Sequence, residues 1–179
     1  MVYLIGGSSH VGKTLLSQKL MERRGVPYLS LDHLKMGFIR SGMTELTVED
    51  DYEMRYWMWP FVSGLIKTVC ENDQELIIEG CYIPAEWKKS FSSEYLQKIR
   101  SVFIVMDENY IKENFDLVCG MADAIEKRLD DRPDMERLIV CSREFKREAI
   151  KNGIPFLDIS GSFDPEKLTD ELEKILMRE

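Results

Sequence analysis

A chain of 179 residues, 44% of them hydrophobic and 31% charged, suffices for one α/β unit with a modest insertion and is cramped for two domains. Its net charge of −8 argues against a polynucleotide partner, which needs a basic face, and no apolar run approaches the roughly 20 residues that span a bilayer. The four cysteines, Cys70, Cys81, Cys119 and Cys141, are too dispersed for a zinc knuckle or a disulfide framework. The opening residues lack the pattern of a secretory leader. A cytoplasmic protein is therefore expected, with no nucleic acid and no membrane among its partners; the oligomeric state is left open.

In chain order, Val2–Ile5 reads as a strand, followed by a glycine-rich turn and a helix over Lys13–Arg24 that Gly25-Val26-Pro27 closes. Tyr28–Leu31 is a second short strand. Val48–Trp59 and Phe61–Asn72 read as helical, with Pro60 either opening a second helix or kinking one long one. Leu76–Glu79 is a third strand and Val102–Met106 a fourth. Helical segments follow over Asn109–Val118, Ala122–Leu129 and Asp134–Asn152, the last stopped by Gly153 and Pro155. Pro155–Ile159 is a fifth strand, and a final helix opens on Asp164-Pro165 with Leu168, Leu172, Ile175 and Leu176 on one face. Strands separated by helices predict a parallel sheet covered on both sides. No repeat or linker divides the chain, so residues 1–179 are expected to form a single domain.

The most specific signal is Gly7-Ser8-Ser9-His10-Val11-Gly12-Lys13-Thr14, a full G-x-x-x-x-G-K-[ST] phosphate loop between a strand and a helix. The chemistry needs these residue types. Glycines let successive N–H groups turn inward, the helix N-terminus adds positive potential, Lys13 reaches β- and γ-phosphates, and Thr14 offers a hydroxyl to magnesium. Mg-ATP is therefore the expected ligand pair. The guanine-recognition N-K-x-D of GTPase switches is absent, and large motor ATPases need more chain.

Two acidic positions follow strands, where open α/β sheets bind ligands. Asp32, after the second strand, is a candidate to accept an acceptor's proton or to hold magnesium-bound water, and alternatively a helix cap. Glu79, ending the third strand, has the Walker B layout and is a candidate magnesium carboxylate. Asp107, ending the fourth, is its rival, although it also suits a helix cap.

The runs GGSSHVGKT, YLSLDHLKMGFIRSG and LIIEGCYIP resemble the adenylate, shikimate and gluconate kinase-like group of P-loop kinases, and more narrowly bacterial proteins labelled 2-phosphoglycerate kinase-like or nucleotide kinase-like. The resemblance implies a three-layer P-loop NTPase fold, with a five-stranded sheet in the order 2-3-1-4-5, helices on both faces and a helical lid. It implies an acidic residue at the place of Asp32, and it sets the Glu79 strand beside the phosphate-loop strand, which favours Glu79 over Asp107. It also implies a lid near residues 120–137, where Arg132-Pro133 looks like the lid of shikimate kinase-like proteins. Arg132 and Arg128 are the expected phosphate clamps there, with Arg143 and Arg147 weaker candidates. An acceptor-binding helical insertion is implied near residues 34–72, with Lys35 and Arg40 as candidate ligands. Two departures stand out: Glu79-Gly80 where relatives carry Asp-Gly, and Asn114-Phe115 where they carry an arginine.

Tyr56, Trp57 and Trp59 either line the acceptor site or, with Met54 and Met58, belong to the core of the inserted helix. The expected activity is transfer of the γ-phosphoryl group of ATP to a small molecule's hydroxyl or phosphate. The alternative is a nucleotide-binding regulatory or toxin-like module with little turnover.

Overall fold

The computed structural model describes residues 1–120 and 134–177. Five strands, β1 (Val2–Gly7), β2 (Tyr28–Ser30), β3 (Leu76–Glu79), β4 (Ile99–Met106) and β5 (Phe156–Ile159), pair in parallel in the order β2-β3-β1-β4-β5. Successive side chains of a strand leave on opposite faces. Val2 and Leu4 of β1, with Phe103 and Val105 of β4, accordingly enter one apolar cluster, while Tyr3, Ile5, Val102 and Ile104 enter the other. Both faces are covered, which is why these strands read as unbroken apolar runs rather than as alternating ones.

Helix α1 (Lys13–Arg24) has the expected bounds because glycine stands at both ends: Gly12 precedes it at φ 80°, and Gly25 follows at φ 66° with its N–H on the Met21 carbonyl. Helix α2 (Leu31–Arg40) falls where a helical insertion and a helix after Asp32 are expected, but the sequence does not set its bounds. Ser30 stands at its cap position and Asp32 lies inside its first turn. The capping role considered for Asp32 is thus corrected; its charge still favours a helix N-terminus. Helix α3 (Asp51–Glu71) runs through Pro60 without interruption, so the two segments expected there are one helix. Pro60 lies on the exposed side, where water can take the carbonyl that its missing N–H leaves unpaired.

A 3-10 turn at Trp87–Ser90 and a single-turn helix, α4 (Ser93–Leu96), precede β4 and were not read from the sequence. The segment expected as one helix over Asn109–Val118 is two, α5 (Glu108–Glu113) and α6 (Phe115–Gly120). The helix expected over Ala122–Leu129 lies outside the described residues. Helix α7 (Met135–Asn152) is capped by Asp134, whose side chain accepts from the Arg137 N–H, and it stops at Gly153. Helix α8 (Pro165–Leu176) is capped by Asp164. Arg24 bonds Glu173, while Lys19 and Arg23 pair with Glu166 and Asp170, joining α1 to α8; such exposed pairs contribute little each. No helix among the described residues is long and apolar enough to cross a membrane.

Candidate active site

Strand register brings the candidate residues to one end of the sheet. Glu79 pairs with Ile5 on one side, two residues before the phosphate loop, and with Ser30 on the other, two residues before Asp32. The loop rises from β1 at Gly7, whose φ of 130° and close approach to Ile104 leave no room for a side chain. His10 takes the left-handed conformation at φ 62°, with its Nδ1 2.8 Å from Ser9 Oγ. Gly12, at the root of α1, lies against Phe163 of the segment between β5 and α8.

Lys13 is buried, and its ammonium crosses the loop to donate to the Ser8 carbonyl at 2.6 Å. The Thr14 hydroxyl donates to Glu79 Oε1 at 3.3 Å. Glu79 is fully buried, and its second oxygen, Oε2, has no hydrogen-bond partner. Burial pushes this carboxyl above its ordinary value near 4.5 and the Asp32 charge adds to the rise, while the Lys13 ammonium and the Thr14 hydroxyl pull it back.

A buried carboxylate oxygen without a donor, beside a hydroxyl, fits a hard cation such as magnesium. Among the described residues no group of three or more His, Cys, Asp or Glu could hold a metal. Magnesium does not need one, because it commonly takes one or two protein oxygens and fills its shell with phosphate and water.

The raised carboxyl gives a stability test with a definite sign. Without nucleotide, native Glu79 holds its proton to higher pH than the unfolded chain does, so stability falls as pH rises from about 4.5 through the raised native value. Glu79→Gln has no proton to lose. Its melting temperature should therefore lack that fall across the window and exceed the wild-type value at neutral pH. An unchanged wild-type slope in the variant would remove Glu79 as the cause.

Asp107 does what a cap does: its Oδ1 accepts from the N–H groups of Asn109 and Tyr110. Asp107→Ala should cost about 1 kcal/mol in a urea titration and leave nucleotide affinity unchanged. A loss of Mg-dependent binding would instead make it the metal carboxylate.

After β2, Asp32 is half-buried. Lys35, one turn on, is buried and donates to the Val48 carbonyl at 2.9 Å, Asp51 Oδ1 at 2.5 Å and Tyr82 Oη at 2.9 Å. Arg40 is exposed in the last turn of α2. Trp59 is buried with its indole N–H on Ser90 Oγ, and Met54 and Met58 are fully buried. Trp57 packs between Phe38 and Phe61. These four belong to the core, whereas Tyr56 stands exposed beside Tyr52.

Burial drives the Cys81 thiol up to about 11, against the pull of Lys13, so it stays protonated and poorly nucleophilic. Arg143 forms an exposed ion pair with Glu108, and Arg147 is exposed. Arg128 and Arg132 lie outside the described residues, as does most of the expected lid. Asp51 and Tyr82, both central to the cluster around Lys35, carried no signal in the sequence beyond Tyr82's place in the run LIIEGCYIP.

No protein-family model matches this chain, and no curated protein sequence matches it. Solved structures do. A shikimate kinase from Aquifex aeolicus VF5 is 17% identical with a TM-score of 0.53, covering 97% of this chain and 94% of its own. A gluconokinase from Sinorhizobium meliloti 1021 is 12% identical with a TM-score of 0.59, covering 98% and 90%. A sugar kinase from Janibacter sp. HTCC2649 is 16% identical with a TM-score of 0.57, covering 98% and 93%. At such identities the likeness is one of fold, and with the strand order observed it gives this chain the three-layer, parallel architecture of the small P-loop kinases.

Proposed function

We propose that this chain is a Mg-ATP-dependent kinase that transfers the γ-phosphoryl group to a hydroxyl or phosphate of a small molecule. The observation that carries the reading is the convergence of three strand ends: the loop with Lys13 and Thr14 after β1, the buried Glu79 ending β3, and Asp32 after β2. The amides of residues 7–14 and the Lys13 ammonium bind the phosphates and neutralise their charge. Thr14 and Glu79 are the residues that would hold magnesium. When bound, the ion neutralises charge that builds on the transferring group.

Asp32 orients the acceptor and takes its proton, Arg40 is the candidate acceptor ligand, and Lys35 builds the wall of that site through Asp51 and Tyr82. Arg128 and Arg132 are proposed to clamp the phosphoryl group as a lid closes and water is excluded. The test is incubation of the purified protein with γ-labelled ATP, magnesium and a fractionated metabolite pool. Label moving to one small molecule supports the reading. Tight Mg-ATP binding with no labelled product from any fraction would favour the nucleotide-binding regulator instead.

A further inference from the structure

We propose that Tyr82 is a positioning residue of the acceptor site, its hydroxyl linking Asp32 to the ion pair of buried Lys35 with half-exposed Asp51, so that the start of α3 governs where the Asp32 carboxylate stands. The proposal deepens the kinase reading and rests on Asp32 acting as acceptor base. Tyr82 lies three residues beyond Glu79 and is 3% exposed. A buried phenol hydroxyl is costly unless it is used, and this one faces three charged groups: Lys35 Nζ at 2.9 Å, Asp51 Oδ1 at 2.8 Å and Asp32 Oδ1 at 3.5 Å. The ammonium donates to its oxygen, which leaves its single proton for the two carboxylates.

The short contact goes to Asp51. The longer one, past the ordinary range of an O–H···O hydrogen bond, goes to Asp32 Oδ1, so that an incoming hydroxyl would meet Oδ2. Lys35 has all three donors committed, to the Val48 carbonyl, Asp51 and Tyr82. It is a fixed post rather than a mobile hand. Contacts therefore run without a break from exposed Val48, ahead of α3, through Lys35 and Tyr82 to Asp32. A shift of the Val48–Asp51 corner that drew Asp51 away would hand the phenol proton to Asp32 and change its orientation.

A double-mutant cycle on basal MgATP hydrolysis, with water in the acceptor's place and single-turnover detection of ADP, tests this. Asp32→Asn is expected to lose about 100-fold, in the range of general-base removal. Tyr82→Phe, which keeps the ring in the core, is expected to lose about tenfold in kcat with KM for ATP unchanged. The double variant is expected to be no slower than Asp32→Asn alone, because Tyr82 acts only through that carboxylate. Wild-type kcat in Tyr82→Phe, or losses that multiply in the double variant, overturns the Tyr82 assignment and leaves the kinase reading standing. Full turnover in Asp32→Asn overturns the base assignment, and the Tyr82 proposal with it. Should Tyr82→Phe fail to fold, Asp51→Asn replaces it from the exposed side of the cluster, with the same two patterns deciding.

Discussion

Lys13→Ala lowers phosphoryl transfer from Mg-ATP by an expected 10³-fold or more, about the scale on which preorganised charge acts at a transferring phosphoryl group. Lys13 is buried, and its ammonium already stands inside the loop, 2.6 Å from the Ser8 carbonyl. The loop amides and the N-terminus of α1 remain in the variant, and some affinity for nucleotide remains with them. The loss therefore falls mainly on kcat. Single-turnover release of ADP, beside equilibrium binding of a fluorescent ATP analogue, separates the two quantities. The fold should survive, since the side chain ends on one carbonyl of its own loop. Turnover largely intact in this variant would falsify the assignment of the site.

Gly7→Ala is expected to cost 3 kcal/mol or more, on the order of the strain and overpacking terms together, and to show in a urea titration as a large drop in midpoint. An added Cβ would stand 2.0 Å from the Ile104 carbonyl oxygen and 2.7 Å from its nitrogen, at a φ of 130°. Backbone of the neighbouring strand cannot turn aside as a flexible side chain can, and Gly7 and Ile104 are register partners in the β1–β4 ladder. Gly25→Ala is the matched comparison. Its φ is also positive, at 66°, but nothing lies within 4 Å of a new Cβ, so only the left-handed backbone cost of about 1 kcal/mol applies. Equal losses at the two positions would mean that the close approach to β4 has no energetic weight.

What could be read in advance follows how local its cause is. Lys13–Arg24 and Leu76–Glu79 were legible to the residue because glycines bracket the helix and both sheet faces are covered. The phosphate loop was legible because its chemistry is written in eight consecutive residues. The bounds of α2 were not, since Gly37 and His33 interrupt a weak local signal and the helix is held by Leu31, Leu34, Phe38 and Ile39 packing onto the core. Pro60 suggested a boundary that its exposed setting makes unnecessary. Around Lys35, Tyr82 and Asp51 meet across 31 positions of sequence. Neither residue type nor spacing announces such a meeting, and Lys35, picked out as a ligand candidate, is found bound to both.

The contact between Gly12 and Phe163 also bears on how the protein emerges from the ribosome. β1 is made first, yet its ladder partners begin at Leu76 and Ile99, and the aromatic ring that backs its loop comes more than 150 residues after the loop begins. Nascent chains stalled before Phe163 will carry the phosphate-loop motif without the wall that supports it. The nucleotide binding proposed for this chain should thus arise late in synthesis, when α8 closes over α1.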